Sequence, residues 1–83
     1  MKYNKLTHEL KLHLTNDYDT YKQMIEAIRD KKTLIEQKEV LKYYVDSLLA
    51  KLLSEQNFNI LNHKNEKPNY RYLFSCIRED LKN

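Results

Sequence analysis

The feature that most constrains this 83-residue sequence is that it contains no glycine and only one proline, Pro68. Tight turns between β-strands usually need residues that tolerate positive φ, and glycine is the commonest of them. Loops between helices can instead be built from Asn and Asp, and the sequence has both at its segment boundaries. A chain of this length forms one domain. We therefore predict a single all-α domain over residues 1–83.

Apolar residues recur at helical spacing in four segments and predict helices over residues 3–14, 17–30, 34–56 and 69–82. The first two helices have one-sided apolar faces, and we expect Asn16 or Asp17 to cap the second. These faces consist of Tyr3, Leu6, Leu10 and Leu14 in the first helix, and of Tyr18, Tyr21, Met24, Ile25 and Ile28 in the second. One-sided faces need neighbours to cover them, so the sequence predicts a small four-helix bundle.

The segment 34–56 gives the strongest helix signal in the chain. Thr33 and Glu36 form a capping box at its start, and no helix-breaking residue interrupts it. Its apolar face is wider than a single helix contact needs. That face consists of Leu41, Val45, Leu48 and Leu52, widened by Tyr44, Leu49 and Leu53. We expect this segment to be either the long central helix of the bundle or a helix that packs on a second copy of the chain.

One of two adjacent tyrosines in this central helix is expected at an edge of the core or at an interface. Tyr43 and Tyr44 point about 100° apart around the helix axis, so only one of them can face the core. An amphipathic tyrosine ring at the edge of a helix is typical of contact surfaces. Tyr43, Leu49 and Leu53 are therefore the candidate residues for an interface with a partner or with a second copy in a homodimer.

The segment 57–67 is predicted to be a loop, whose apolar residues Phe58, Ile60 and Leu61 are available to pack onto the core. Pro68 suits the first turn of a final helix, where a backbone N–H has no partner within the helix. The apolar side of that helix consists of Tyr70, Leu73, Phe74, Ile77 and Leu81. This spacing indicates a final amphipathic helix.

Residues that could support catalysis or metal binding are arranged poorly for either purpose. His8 and His13 are five positions apart, about 140° around a helix, whereas a zinc-binding pair needs the i, i+4 spacing. Cys76 is the only cysteine, and we expect it at the boundary of the apolar face rather than as a nucleophile. A glycine-rich phosphate loop cannot form without glycine. The sequence therefore predicts no enzyme activity, no metal site and no cofactor.

Basic residues lie along one edge of the predicted last helix. Arg71, Arg78 and Lys82 are spaced by seven and four residues, which stacks them in a stripe. Such a stripe can contact the phosphates of a nucleic acid, or its long side chains can flank the apolar face and reach solvent. Together with nearby residues, the candidate contacts to DNA or a partner protein are Lys64, Lys67, Arg71, Tyr72, Arg78 and Lys82.

The sequence carries no signal for a membrane. Its longest apolar run is only a few residues, too short for a membrane span or a signal peptide. A single cysteine cannot form an internal disulfide and fits a reducing compartment. The formal net charge is +3, which by itself does not establish a nucleic-acid partner. We therefore expect a cytoplasmic protein that does not bind a membrane.

Residues 65–83 contain a loop that leads into a helix beginning at Pro68 and Tyr70, followed by Leu73, Phe74, Ile77 and Leu81. This ending, about a quarter of the chain, resembles the DnaD-like helical domain. It is also similar to the carboxy-terminal domain of RepA-type plasmid replication initiators from Gram-positive bacteria. The resemblance implies a helical domain that helps to assemble a replication complex. Its contacts would be to DNA, to another replication protein or to its own copies.

Our first hypothesis is a non-catalytic interaction domain of a plasmid or phage DNA replication initiation protein, which docks onto DNA or a host replication protein. Met1 would then be the start of a piece of a longer protein. The alternative is a free-standing small phage or plasmid regulator that binds and inhibits a host protein, with Met1 as its true start. A structural homodimer built on the central helix is a third possibility.

Overall fold

Residues 4–82 are described by the computed structural model, which folds them into five α-helices. The helices are α1 (Lys5–Asn16), α2 (Tyr18–Arg29), α3 (Leu34–Ser54), α4 (Phe58–Leu61) and α5 (Tyr70–Leu81). The all-α prediction is confirmed, and α3 is the predicted long central helix. The bounds of the four predicted helices differ by at most two residues from those observed, although the predicted start at Tyr3 lies outside the described residues.

The helices of residues 4–82 begin with polar side chains that accept hydrogen bonds from backbone N–H groups of the first turn. Asp17 caps α2, as predicted, by accepting from the N–H of Thr20 at 3.2 Å. The Thr33 hydroxyl oxygen accepts from the N–H of Glu36 at 3.2 Å and donates to its carboxylate at 3.0 Å, so the predicted Thr33–Glu36 pair caps α3. The caps of the other helices are Asn4, Asn57 and Asn69.

The end of α3 shows how the chain turns without glycine. Gln56 adopts a φ of 57°, the left-handed conformation that glycine usually takes after a helix. The Gln56 N–H donates to the carbonyl of Leu53 at 3.1 Å, and the Asn57 N–H donates to the carbonyl of Leu52 at 3.0 Å. This pair of bonds forms a Schellman turn that directs the chain into α4. A residue with a Cβ in this conformation costs roughly 1–2 kcal/mol, so the turn is strained.

The hydrophobic core lies around α3, which contacts the other four helices of the described chain. The buried apolar residues are Leu6, Leu10, Leu14, Met24, Ile25, Ile28, Leu41, Val45, Leu52, Ile60, Leu73, Phe74 and Ile77. All of them lie at positions where the sequence predicted an inward face or a contact with the core. Tyr44, Leu48 and Leu49 are half-buried against the same core, so the wide apolar face of α3 packs largely within the chain. Burying each large side chain contributes about 2 kcal/mol.

Three predicted core contacts are wrong. Tyr18, placed on the apolar face of α2, is 70% exposed because it is the first residue of that helix and lies at the corner between α1 and α2. In the predicted loop, residues 58–61 instead form the short helix α4, in which Ile60 is buried but Phe58 is 74% exposed and Leu61 is also exposed. Successive residues of a helix diverge by about 100°, so a single turn can direct only one of these side chains inward.

The start of α5 is fastened to α1 and α3 by hydrogen bonds. The buried hydroxyl oxygen of Thr7 accepts from the backbone N–H of Asn69, the N-cap of α5, at 2.9 Å. The Tyr70 hydroxyl donates to the Asp46 carboxylate on α3 at 2.5 Å. Burial first, and then the Asp46 carboxylate, raise the pKa of Tyr70 to about 12. These bonds fix both the position and the direction of α5 at its amino-terminal end.

The other end of α5 is fastened to α2. The Arg29 guanidinium donates to the carbonyl oxygens of Asp80 and Leu81 at the last turn of α5, where the helix dipole favours a cation. The Tyr21 hydroxyl donates to the Asp80 carboxylate, and burial together with that carboxylate holds the pKa of Tyr21 well above its usual value. The last helix is therefore a fixed part of the bundle.

Candidate nucleic-acid interface

Two of the predicted basic contacts, Arg71 and Arg78, lie two turns apart along the exposed edge of α5. They are seven residues apart, which is close to two full turns, so the helix presents them in line. Lys38 of α3 joins them, because all three side chains line one shallow depression of about 130 Å³ between α3 and α5. We call this surface, lined by Lys38, Arg71 and Arg78, the cationic depression.

The floor and wall of the cationic depression are apolar. Phe74 of α5 forms the floor, and the Lys38 ammonium lies over its ring, 5.9 Å from the centroid. Leu34 at the start of α3 lines the same depression and is exposed. One turn further along α3, the ammonium of Lys42 lies 5.3 Å from the centroid of the Tyr70 ring. The attraction between lysine and aromatic faces therefore positions the cations of α3 along the start of α5.

The charges at the cationic depression are all of one sign. Among the described residues that line it, the charged ones are Lys38, Arg71 and Arg78, so its formal charge is +3. Two arginines can each make paired hydrogen bonds to a phosphate, and a lysine adds a compact positive charge. Concentrated charge of this kind attracts an anion more strongly than the overall net charge of the protein suggests. The geometry suits a phosphate group.

The other predicted contacts lie outside the cationic depression. Lys82 is exposed one turn beyond Arg78, but its ammonium lies 3.4 Å from the Glu79 carboxylate, which partly neutralises it. Lys64 and Lys67 are exposed in the connection between α4 and α5, which spans residues 62–69. Of the six predicted contacts, the cationic depression therefore brings together only Arg71 and Arg78.

Tyr72, the remaining predicted contact, faces α1 instead. Its half-buried ring lies under the Lys11 ammonium, 5.8 Å from the centroid. Tyr72 follows Arg71 directly, so the two side chains diverge by about 100° around α5. Its ring packs between α5 and α1 rather than beside the two arginines.

The predicted interface residues on α3 also separate into two groups. Tyr43 is 69% exposed, whereas Tyr44 is half-buried against the core, as expected for neighbouring helical positions. Leu49 is half-buried, whereas Leu53 is exposed. These two residues lie about 40° apart around α3. Tyr43 lies roughly 80–120° away from both. Tyr43 therefore lies on a different side of α3 from Leu49 and Leu53.

The histidines and the cysteine occupy separate environments. His8 and His13 line different depressions, one beside Asn59 and the other beside Tyr18, as their five-residue spacing predicted. Cys76 is half-buried on α5, in agreement with the predicted boundary position. None of the helices in residues 4–82 is both long enough and apolar enough to cross a bilayer.

Sequence reasoning found Arg71 and Arg78 but missed Lys38. The arginines share a helix, so their alignment follows from local spacing alone. Lys38 reaches them only through the packing of α3 on α5, which a linear pattern does not reveal. Its single local signal is a position one turn after Leu34 and one turn before Lys42, along an exposed edge of α3.

Comparison with known protein families, curated proteins and solved structures finds no match for this chain.

Proposed function

We propose that this chain is a non-catalytic docking domain that binds the phosphate backbone of DNA through the cationic depression. The observation that carries the proposal is the convergence of Lys38, Arg71 and Arg78, from two helices, on one exposed depression without a lining carboxylate among the described residues. Because α5 is fastened at both ends, the backbone that carries the two arginines is held in place before DNA arrives.

Binding of this kind would be sensitive to salt and largely independent of sequence. Each cation that neutralises a phosphate releases condensed counterions, so three contacts give a slope of log affinity against log salt of about −3. Contacts to phosphates position a protein on DNA but do not read its bases. The domain would therefore strengthen or orient an assembly whose sequence specificity lies elsewhere.

The resemblance of residues 65–83 to Gram-positive replication proteins supplies the biological context of the proposal. In that context the domain belongs to a plasmid or phage replication initiation protein in the cytoplasm, and it holds DNA while host replication proteins assemble. The cationic depression lies at the α5 segment that carries the resemblance, together with α3.

The experiment is a fluorescence-anisotropy titration of a random-sequence duplex DNA at several salt concentrations. Replacing Lys38, Arg71 or Arg78 with Ala should weaken binding and reduce the salt slope by about 1 for each residue. The control is Lys22→Ala, which removes an exposed lysine of α2 that does not line the depression. Equal losses for Lys22→Ala and Arg71→Ala, or no binding at low salt, would contradict the proposal.

A second candidate function is a small regulator that binds and inhibits a host protein. It is favoured by the exposed tyrosines Tyr18 and Tyr43, which lie on a different part of the surface. Binding of a host replication protein that is lost on replacing these tyrosines but not Arg71 would favour this function over DNA docking.

A further inference from the structure

A broad groove of about 830 Å³ runs between the α1–α2 corner and the carboxyl-terminal half of α3. Tyr18 at the start of α2 lines one side, and Tyr43, Tyr44 and Leu48 of α3 line the other. We call this surface the tyrosine groove. The half-buried Leu48 and the buried Leu52 also line it, so the groove has an apolar base continuous with the core.

The rings of Tyr18 and Tyr43 in the tyrosine groove lack the lysine cover that three other rings of the described residues have. Within residues 4–82, lysine ammonium groups cover the rings of Tyr70, Phe74 and Tyr72 at 5.3–5.9 Å. Tyr18 and Tyr43 are 70% and 69% exposed, and of the described lysines none covers either ring. The Tyr43 ring instead makes an edge-to-face contact with the Tyr44 ring, and the two ring centroids are 5.7 Å apart.

The charged groups of the tyrosine groove are mostly carboxylates. Among its described lining residues, Asp17, Asp19 and Glu55 oppose the single cation Lys51, with His13 neutral, for a formal charge of −2. Hydrogen bonds from the Thr20 backbone N–H and hydroxyl hold the pKa of Asp17 below its usual value, so this carboxylate stays ionised at neutral pH. The groove is thus a negative surface on a protein whose net charge is +3.

We infer that the tyrosine groove binds a segment of a partner protein that carries arginine or lysine side chains alternating with apolar ones. The exposed faces of Tyr18 and Tyr43 attract a guanidinium or ammonium group, and the carboxylates of Asp19 and Glu55 complement its charge. The apolar base at Leu48 accepts the aliphatic residues between the cations. This site does not depend on the proposed DNA docking, and it specifies the partner chemistry of the surface on which the second candidate function rests.

The negative charge of the groove favours a cationic polypeptide over a nucleic acid as the bound partner. A nucleic acid could stack bases on the tyrosines, but its phosphates would meet a surface of formal charge −2. A second copy of the chain could insert its own cationic edge, Arg71 and Arg78, and would then form head-to-tail assemblies because the two surfaces differ. A positively charged polypeptide segment can contact all three parts of the groove. Its cations bind the tyrosine rings and the carboxylates, and its apolar side chains pack on the apolar base.

The test is a nuclear magnetic resonance titration of the labelled protein with a short capped peptide of alternating leucine and arginine. The matched probe has glutamate in place of arginine. We expect the arginine peptide to shift resonances of Tyr18, Tyr43 and Lys51, and the glutamate peptide to leave them unchanged. Tyr43→Ala should weaken the arginine peptide about three-fold, and the double variant with Tyr18→Ala about ten-fold.

Two controls keep the experiment decisive. Phe58→Ala removes an equally exposed aromatic ring that does not line the groove, and it should leave binding unchanged. Tyr43→Phe retains the ring and should restore most of the affinity. The inference is overturned by the absence of arginine-peptide binding or by equal binding of both peptides. It is also overturned by groove shifts that appear with single-stranded DNA, or by shifts that grow with protein concentration alone.

Discussion

The surfaces on the two halves of α3 both combine aromatic rings with charged side chains, but they do so in opposite ways. In the amino-terminal half, Lys38 and Lys42 cover the rings of Phe74 and Tyr70, and the surplus charge is positive. From the middle of the helix towards its carboxyl-terminal end, Tyr43 is exposed and the nearby charges are mostly carboxylates. At the cationic depression, lysines of the same chain cover the aromatic rings. In the tyrosine groove, the ring of Tyr43 has none of the described lysines over it and is exposed to solvent.

This difference shows why the net charge of +3 describes neither surface. The cationic depression concentrates positive charge where a phosphate can reach it, and the tyrosine groove has a formal charge of −2. A ring that already holds a lysine contributes to the fold, whereas a ring without one offers its face to a partner. We therefore expect two partners of opposite charge rather than one partner on an extended surface.

The two surfaces also differ in how they are supported. Polar bonds between helices hold α5, including those of Thr7 with Asn69 and of Tyr70 with Asp46. The tyrosine groove rests on the apolar residues Leu14 and Leu52, and the strained turn at Gln56 lies at its end, between the lining residues Glu55 and Asn57. Substitutions can therefore loosen one surface without disturbing the other.

Thr7→Val gives the largest expected effect and loosens the support of α5. It removes the acceptor of the buried N–H of Asn69 while keeping the shape of the side chain. We expect the free energy of unfolding, measured by urea titration, to fall by about 2 kcal/mol. DNA affinity should fall with it, while arginine-peptide binding to the folded protein stays unchanged. Thr7→Ser keeps the hydroxyl and should lose much less stability, and equal losses for Val and Ser would contradict this account.

Tyr70→Phe removes the hydrogen bond between the Tyr70 hydroxyl and Asp46 but keeps the packing of the aromatic ring. At neutral pH it should lower the free energy of unfolding by roughly 1 kcal/mol, because the Asp46 carboxylate loses the hydrogen bond from the Tyr70 hydroxyl and keeps the one from Lys42. The raised pKa of Tyr70 makes this contribution complete below the unfolded-state value of 10 and lost as the pH rises through about 12. The wild type and Tyr70→Phe should therefore converge in stability above pH 10. The control Tyr18→Phe, at an exposed site, should change the free energy of unfolding little. A difference in free energy of unfolding between wild type and Tyr70→Phe that is the same at all pH values would exclude this role for Tyr70.

Gln56→Gly should give the smallest effect, and it acts at the end of the tyrosine groove. Glycine removes the steric cost of the left-handed conformation but loses more chain entropy on folding. We expect the free energy of unfolding to rise by about 0.5–1 kcal/mol, with no change in DNA affinity. Gln56→Ala keeps the Cβ and should not stabilise the protein. A loss of stability for Gln56→Gly would show that the Gln56 side chain contributes more than its conformation costs.

Local periodicity was sufficient to predict most of this fold. The inward faces of α1, α3 and α5 follow from i, i+3, i+4 spacing, and the caps Asp17 and Thr33 follow from residue type and position. The short helix α4 was missed because four residues are too few to show a period. Tyr18 and Phe58 were misplaced because the first residues of a helix often lie beyond the reach of its neighbours.

The candidate sites were predicted only in part, because they depend on contacts between distant segments. Spacing within α5 aligned Arg71 with Arg78, but only packing of α3 on α5 adds Lys38. The tyrosine groove needs the corner between α1 and α2 to meet α3, so the sequence suggested Tyr43 but not its pairing with Tyr18. Sequence patterns predict which face of a helix is buried. They do not predict which other helix packs against that face, because this depends on the three-dimensional packing.

The most direct test of the central claim is to map the binding of duplex DNA by amide chemical-shift changes in the labelled wild-type protein at low salt. We predict changes centred on Lys38, Arg71 and Arg78 that disappear as salt is added, with the resonances of Tyr18 and Tyr43 unaffected. Changes centred on Tyr18, Tyr43 and Lys51, or no changes at any DNA concentration, would contradict the assignment of the cationic depression to DNA.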